Sequence, residues 1–194
     1  MRTNRSSLRH DPVSMSDARR AFSANPFAAF VATGFGSGLS PVAPGTAGSV
    51  VGLVIAWLLR DHGGILGTPV GLLMSGLAIA AVGVAVSGPI CRALASKDPG
   101  CIVIDEVAGQ VLACAAIPLV PAFVSGRGAL AWPWPWLAAF VLFRLFDVVK
   151  PRPIHRVQDL PGGWGVVMDD VAAGILAGVL LAVLGWAAGL AGWI

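Results

Sequence analysis

Charged side chains are scarce in this chain. Of its 194 residues only 12% are Asp, Glu, Lys or Arg, whereas soluble domains average about 25%. Hydrophobic residues make up 56% of the chain, and the mean hydropathy is +0.80. This composition is not typical of a soluble domain, so we expect the chain to be embedded in a membrane. Its length favours a single domain.

Cysteines are also few, and the three present form no CxxC pair. Cys91, Cys101 and Cys114 lie in or beside apolar segments, where a cysteine usually serves as a small buried side chain. We therefore do not expect a zinc or redox site. The first residues contain neither an apolar core nor a small-residue cleavage site, so a cleaved signal peptide is not expected.

The basic residues do not favour nucleic acid as a partner. The net charge is only +3, and no aromatic residues alternate with the N-terminal arginines. We predict that residues 1–25 form a mobile, basic cytoplasmic arm beside anionic lipid. Residues 26–194 are predicted to form the membrane domain.

Apolar segments alternate with short polar ones along this domain. Because about 20 residues are needed to cross the hydrocarbon core, we predict an all-α, multi-helix membrane bundle with about four transmembrane segments. All Lys and Arg residues except Arg60 and Arg127 then fall on one side, which the positive-inside tendency makes cytoplasmic. Loops 33–48, 91–106 and 147–170 share this face. The apolar segments are 47–59, 65–90, 107–124, 135–146 and 171–194.

Residues 34–49 are rich in Gly, Ser and Thr. Backbone N–H groups and hydroxyls in such a segment can hold an oxyanion, particularly if residues 46–49 open a helix. The alternative is a glycine-rich membrane turn, and this segment alone does not distinguish the two.

Carboxylates recur at the ends of the apolar segments. Asp105 and Glu106 precede one segment, and Asp169 and Asp170 precede another. One such pair could cap a helix and favour its dipole, but two pairs together with Asp147 exceed what capping requires. Carboxylates crowded on one face repel each other, and their oxygen atoms favour Mg²⁺ or Mn²⁺.

Two cations lie near the end of another apolar segment. Arg144 and Lys150, with Asp147 between them, recur at helical spacing before Pro151 and Pro153 end the helix. Arg144, Lys150 and Arg152 supply positive charge suited to phosphate. The combination indicates a metal-assisted phosphoryl site at the membrane surface.

The segments FGSGLSP with PGTAGS, IDEVAG, FRLFDVVKPRPI and GGWGVVMDDVAAG occur in this order. Together they resemble the signature blocks of the bacterial phosphatidylglycerophosphatase A family, from about residue 25 to residue 178. The resemblance implies a helical, multi-pass inner-membrane phosphatase that uses Mg²⁺. It implies phosphatidylglycerophosphate as the substrate, phosphatidylglycerol and phosphate as the products, and a cytoplasmic N-terminus and active site.

Other phosphatase chemistries lack their motifs here. The sequence has no CxxxxxR loop, no DxD motif and no Ser-Gly-His element, so attack by a metal-activated water is the leading hypothesis. A covalent carboxyl-phosphate stays open, and His155 is interpreted as structural. The predicted metal ligands are Asp105, Glu106, Asp169 and Asp170, with Asp147 added as a catalytic residue. The predicted phosphate ligands are Ser40, Gly45, Thr46, Arg144, Lys150 and Arg152.

Three other functions agree less well with the sequence. A CDP-alcohol phosphotransferase would carry a DGxxAR motif followed by spaced aspartates, which this sequence lacks. A cation-coupled carrier would place its carboxylates in mid-span, whereas these lie at segment ends beside cations. A purely structural membrane subunit would account for the apolar segments but not for two carboxylate pairs.

Overall fold

The computed structural model describes residues 15–124, 133–150 and 162–191, which form helices and loops without any strand. The predicted all-α class is confirmed for these residues. Three single-turn 3₁₀ segments lie between the helices, at Ser37–Leu39, Gly64–Gly67 and Ile117–Leu119. The α-helices are α1 (Met15–Ala24), α2 (Pro26–Ala32), α3 (Pro44–His62), α4 (Pro69–Leu94), α5 (Ile104–Cys114), α6 (Pro121–Val124), α7 (Trp134–Val149) and α8 (Gly163–Leu190).

Helix α5 forms the centre of the bundle. All of its 11 residues except Glu106 are buried, and α3, α4 and α8 pack around it. The backbones of α5 and α8 approach closely because Gly109 and Gly174 face each other, and a Cβ on Gly174 would overlap the carbonyl oxygen of Gly109. Small residues permit this kind of helix packing in apolar bundles.

Two of the described helices, α4 and α8, are long and apolar enough to cross a membrane. Helices α5 and α7 have 11 and 16 residues, which is short of the roughly 20 needed for a span. Helix α3 is not one of the two candidate spans, and its last three residues are the polar Arg60, Asp61 and His62. The apolar segment 107–124 does not form one helix, since α5 ends at Cys114 and a 3₁₀ turn precedes α6.

The glycine-rich segment is interrupted as its composition indicates. Helix α2 ends at Ala32, a 3₁₀ turn follows, and α3 begins at Pro44. Gly34, Phe35 and Gly36 all have positive φ angles, which reverse the chain after α2. The N–H of Val103 donates to the carbonyl of Ala32 at 2.9 Å, so α2 lies beside the start of α5.

The second half of the predicted N-terminal arm is helical. Helix α1 occupies Met15–Ala24, and only Asn25 separates it from α2. Ala18 and Ala21 are buried, and α1 packs against α2 and α4. This end of the bundle also holds the start of α5, so α1 and α2 lie at the end where the candidate site forms.

Candidate active site

Four helices bring polar side chains to one end of the bundle. Helix α5 contributes its first turn, α7 its last turns, α8 its second turn and α3 its first turns. Asp105, Asp147, Asp169 and Asp170 are all buried there. Charged groups buried in an apolar bundle need partners or a bound ion, so this cluster is the candidate active site.

Asp105, Glu106 and Asp170 form a compact acidic cluster. Each offers one carboxylate oxygen, and these three oxygens lie within 4.8 Å of one another. Oδ1 of Asp105 and Oε2 of Glu106 are buried without a hydrogen-bond partner among the described residues. Oxygen atoms that converge and lack protein donors fit a hard divalent cation such as Mg²⁺.

The carboxylates of α5 do not act as caps. Helix α5 begins at Ile104, its N-cap residue is Val103, and the cap makes no side-chain hydrogen bond. Burial, followed by the charge of Glu106, raises the pKa of the Asp105 carboxyl well above its usual range. Burying a carboxyl group in this way is unfavourable, and such buried acids are typical of functional sites rather than of helix ends.

Asp169 and Asp170 lie deeper than the sequence pattern indicated. Helix α8 begins at Gly163, so the pair lies in its second turn instead of opening it. The two side chains then diverge. Asp170 joins the acidic cluster, while Oδ2 of Asp169 lies 2.5 Å from Nζ of Lys150. The structure therefore groups three of the four predicted metal ligands and pairs the fourth with a cation.

Arg144, Asp147 and Lys150 form a chain of ion pairs at the end of α7. Nη1 of Arg144 lies 2.5 Å from Oδ2 of Asp147, and Nζ of Lys150 lies 3.8 Å from Oδ1 of the same residue. Burial by itself lowers the pKa of Lys150, but Asp170 and Asp169 outweigh it and raise that pKa above its usual value. Lys150 is therefore a fixed positive charge beside the cluster.

Gly45 connects the glycine-rich segment to the acidic cluster. A Cβ on Gly45 would overlap Oε1 of Glu106 and would lie 3.3 Å from Nη1 of Arg144. Only glycine leaves this space free between an acid and a cation. Thr46 is the next residue of α3 and is half-buried. Ser40 was predicted as a phosphate ligand. Its hydroxyl donates locally to the carbonyl of Val42 at 2.8 Å, so this contact does not connect it to the acidic cluster.

Ser49 belongs to the hydroxyl-rich segment 34–49 but is not one of the predicted phosphate ligands, and the structure places it in contact with the site. Its hydroxyl donates to the carbonyl of Gly45 at 2.9 Å and accepts from Nη1 of Arg144 at 3.4 Å. Ser49 lies one helical turn after Gly45 on α3, so both residues are on the side of the helix that faces the site. Arg152 and His155 lie outside the described residues.

Acidic side chains suited to a divalent cation, beside cations suited to phosphate, are typical of enzymes that act on phosphate esters. Their place at one end of an apolar helical bundle indicates an enzyme of this class associated with a membrane. Residues 30–185 match the family model of phosphatidylglycerophosphatase A, and the chain belongs to that family.

Curated relatives agree with this assignment. A phosphatidylglycerophosphatase A of Haemophilus influenzae is 37% identical over 152 residues, which cover 78% of this chain and 84% of the relative. That of Escherichia coli is 34% identical over 164 residues, 82% of this chain and 86% of the relative. A Bacteroides thetaiotaomicron protein provisionally named phosphatidylinositol-3-phosphatase is 36% identical over 162 residues, 82% and 94% respectively. No solved structure matches this chain.

Proposed function

We propose that this protein is a Mg²⁺-dependent phosphatase that hydrolyses phosphatidylglycerophosphate to phosphatidylglycerol and inorganic phosphate. The observation that carries the proposal is the convergence of Asp105, Glu106 and Asp170 beside Lys150 and Arg144. The substrate follows from the family and from the names of the Haemophilus and Escherichia relatives. The proposed location is the bacterial inner membrane, with the N-terminus and the site facing the cytoplasm.

In this proposal Asp105, Glu106 and Asp170 hold the metal ion. Bound there, Mg²⁺ would polarise the phosphoryl group and offset its negative charge. Asp169, predicted as a fourth metal ligand, is proposed to orient Lys150 instead, to which it is paired at 2.5 Å. Holding Lys150 at a fixed position gives the phosphoryl oxygens a preorganised charge partner, which favours the charged transition state.

Arg144 acts as the second phosphate ligand. Ser49 and Asp147 both contact its Nη1 atom, and this fixes the guanidinium while leaving other N–H donors for phosphate. Asp147 contacts both cations, so its main role is to align them; orienting water is a second role proposed for it. Gly45, whose backbone passes too close to Oε1 of Glu106 for a Cβ to fit, is proposed to bind the phosphate through its backbone N–H near the start of α3. Thr46, Ser40 and Arg152 remain proposed phosphate ligands.

The competing substrate is a phosphoinositide, because the Bacteroides relative is named for phosphatidylinositol-3-phosphate. Both lipids are phosphate monoesters, and the acidic cluster serves either. We therefore propose an assay with purified protein in detergent micelles. Phosphate release is compared for phosphatidylglycerophosphate, phosphatidylinositol-3-phosphate and phosphatidic acid, with Mg²⁺ and with EDTA.

We expect Mg²⁺-dependent release that is fastest from phosphatidylglycerophosphate. Asp170→Asn should abolish it, whereas the matched Asp61→Asn change should not, because Asp61 is exposed at the far end of α3. Faster release from phosphatidylinositol-3-phosphate would reassign the substrate. No release from any of the three lipids would refute the proposed function.

A further inference from the structure

We propose that α1, α2 and the turn after α2 form a surface that binds anionic lipid headgroups at the active-site end of the bundle. The surface is formed by Arg19, Arg20, Phe27, Phe30 and Phe35. This inference builds on the proposed lipid substrate. Helix α1 lies before residues 30–185, so much of the surface lies outside the region that matches the family.

The two short helices have a buried and an exposed side. Ala18 and Ala21 of α1 and Ala28 and Ala29 of α2 are buried in the bundle. Arg19 and Arg20 point away from it and are exposed. Because the small apolar residues pack on the bundle, the exposed arginines are left available to anionic headgroups.

Aromatic side chains extend this surface. The exposed fraction is 76% for Phe27 and 54% for Phe35. The rings of Phe30 and Phe35 contact edge to face, with centroids 5.6 Å apart. Helices α1 and α2 pack together, so these exposed rings and the arginines belong to one end of the bundle, where the rings can leave water while the guanidinium groups stay at the lipid phosphates.

The backbone at Phe35 gives a second, independent reason. Its φ angle is +59°, a left-handed conformation that is uncommon for a bulky residue. Glycine would adopt this conformation without strain, as its neighbours Gly34 and Gly36 do. The Phe35 ring contacts Phe30 but is still 54% exposed, so a strained backbone position presents an aromatic face that a lipid can cover.

The position of the surface connects it to the site. The hydrogen bond from Val103 to Ala32 fixes the end of α2 beside the residue before α5, and Asp105 follows two residues later. The chain that continues from Phe35 reaches Gly45 at the acidic cluster. Anionic lipids of the bilayer bound at this surface would therefore hold the end of the bundle where the carboxylates converge at the headgroup layer.

The direct test uses full-length protein reconstituted in vesicles. A fluorophore is attached to α1 through Ser23→Cys, an exposed position, and its quenching by headgroup-labelled spin lipid is measured. Unsubstituted protein, whose three cysteines are buried, gives the labelling background. Vesicles contain phosphatidylcholine alone or with phosphatidylserine, which is neither the substrate nor the product.

We expect quenching to require phosphatidylserine and to weaken with salt. Each Arg→Gln change at position 19 or 20 should lower the apparent affinity for phosphatidylserine about fivefold. Arg60→Gln, at the other end of α3, should have no effect. Phe35→Gly should weaken quenching without lowering the thermal midpoint, because it relieves the backbone. Equal quenching in neutral vesicles, or no change in Arg19→Gln/Arg20→Gln, would overturn the proposal. A change in quenching that depends on protein concentration instead of lipid composition would also overturn it.

A kinetic arm separates this proposal from the proposed function. Arg19→Gln/Arg20→Gln should slow hydrolysis of phosphatidylglycerophosphate in anionic vesicles while leaving the rate on a short-chain, monomeric form unchanged. Equal slowing on both forms would contradict a lipid-binding role. If wild-type protein hydrolyses neither form, the proposed function fails, and the quenching result still decides the surface.

Discussion

Nζ of Lys150 lies 2.5 Å from Oδ2 of Asp169, joining the end of α7 to the second turn of α8. The side chain of Asp169 is only 4% exposed and that of Lys150 is 25% exposed. This pair separates two neighbouring aspartates into different roles. Asp170 faces the acidic cluster, while Asp169 holds a cation beside it.

Breaking this ion pair should reduce both stability and activity. Lys150→Met or Asp169→Asn removes the 2.5 Å contact between the two side chains, and each is expected to lower the free energy of unfolding by about 1–3 kcal/mol. Asp169→Asn should also slow phosphate release about tenfold, because Lys150 is no longer held in place. Denaturant unfolding in detergent, followed by helical circular dichroism, gives the free energies.

The double variant provides the control for this pair. Lys150→Met/Asp169→Asn should lose at least about 1 kcal/mol less than the sum of the single losses, because either single change already removes the contact that the two residues share. Strictly additive losses would show that the two residues do not interact in solution.

Removing the hydroxyl of Ser49 should weaken activity more than stability. Ser49→Ala takes away one of the contacts to Nη1 of Arg144, and we expect a threefold to tenfold loss, about 1 kcal/mol of a neutral-to-charged hydrogen bond. Ser75→Ala is the matched control, because Ser75 makes the same backbone contact to Gly71 at 2.8 Å on α4. A loss of activity in Ser75→Ala as large as in Ser49→Ala would contradict a specific role.

Adding a methyl group at Gly45 should impair the site. The Cβ of Gly45→Ala would meet Oε1 of Glu106, so the carboxylate must shift away from the cluster, and we expect at least about a tenfold loss of activity. Gly189→Ala serves as the control, since nothing lies within 4 Å of a Cβ there. Helix stability should rise slightly in the control. Full activity in Gly45→Ala would mean that Glu106 is not constrained as the structure indicates.

Metal affinity should rise with pH. Burial raises the pKa of Asp105 well above its usual range, so protons compete with the metal at pH values above the ordinary carboxyl pKa of about 4. Titration of the protein with Mn²⁺, followed by electron paramagnetic resonance, should give tighter binding at pH 7.5 than at about pH 5.5. Asp105→Asn should bind more weakly and flatten this dependence. Affinity that is independent of pH in the wild type would contradict the buried cluster.

The sequence was sufficient to predict the helical class of the described residues and the three carboxylates of the acidic cluster. Carboxylates and cations are so rare in this chain that their recurrence at segment ends identified Asp105, Glu106 and Asp170, which the structure brings together. The family resemblance is confirmed over residues 30–185, and the identity of the lipid substrate was inferred from it.

Three features could not be predicted because they depend on packing. Helix α8 begins six residues before Asp169, and only its neighbours decide that Asp169 faces Lys150 while Asp170 faces α5. The segment 107–124 is apolar enough for a long helix, yet it turns after Cys114. The contact between Ser49 and Arg144 joins residues that are 95 positions apart in the chain, a separation that local spacing does not reveal.

The Mg²⁺ dependence of phosphate release from phosphatidylglycerophosphate tests the central claim most directly. It is measured for the wild type, Asp170→Asn and Asp61→Asn at equal protein concentration. The account predicts release that requires Mg²⁺ in the wild type and in Asp61→Asn, and a loss of at least about 100-fold in Asp170→Asn. Release that persists in EDTA, or an Asp170→Asn variant with the wild-type Mg²⁺ curve, would contradict it.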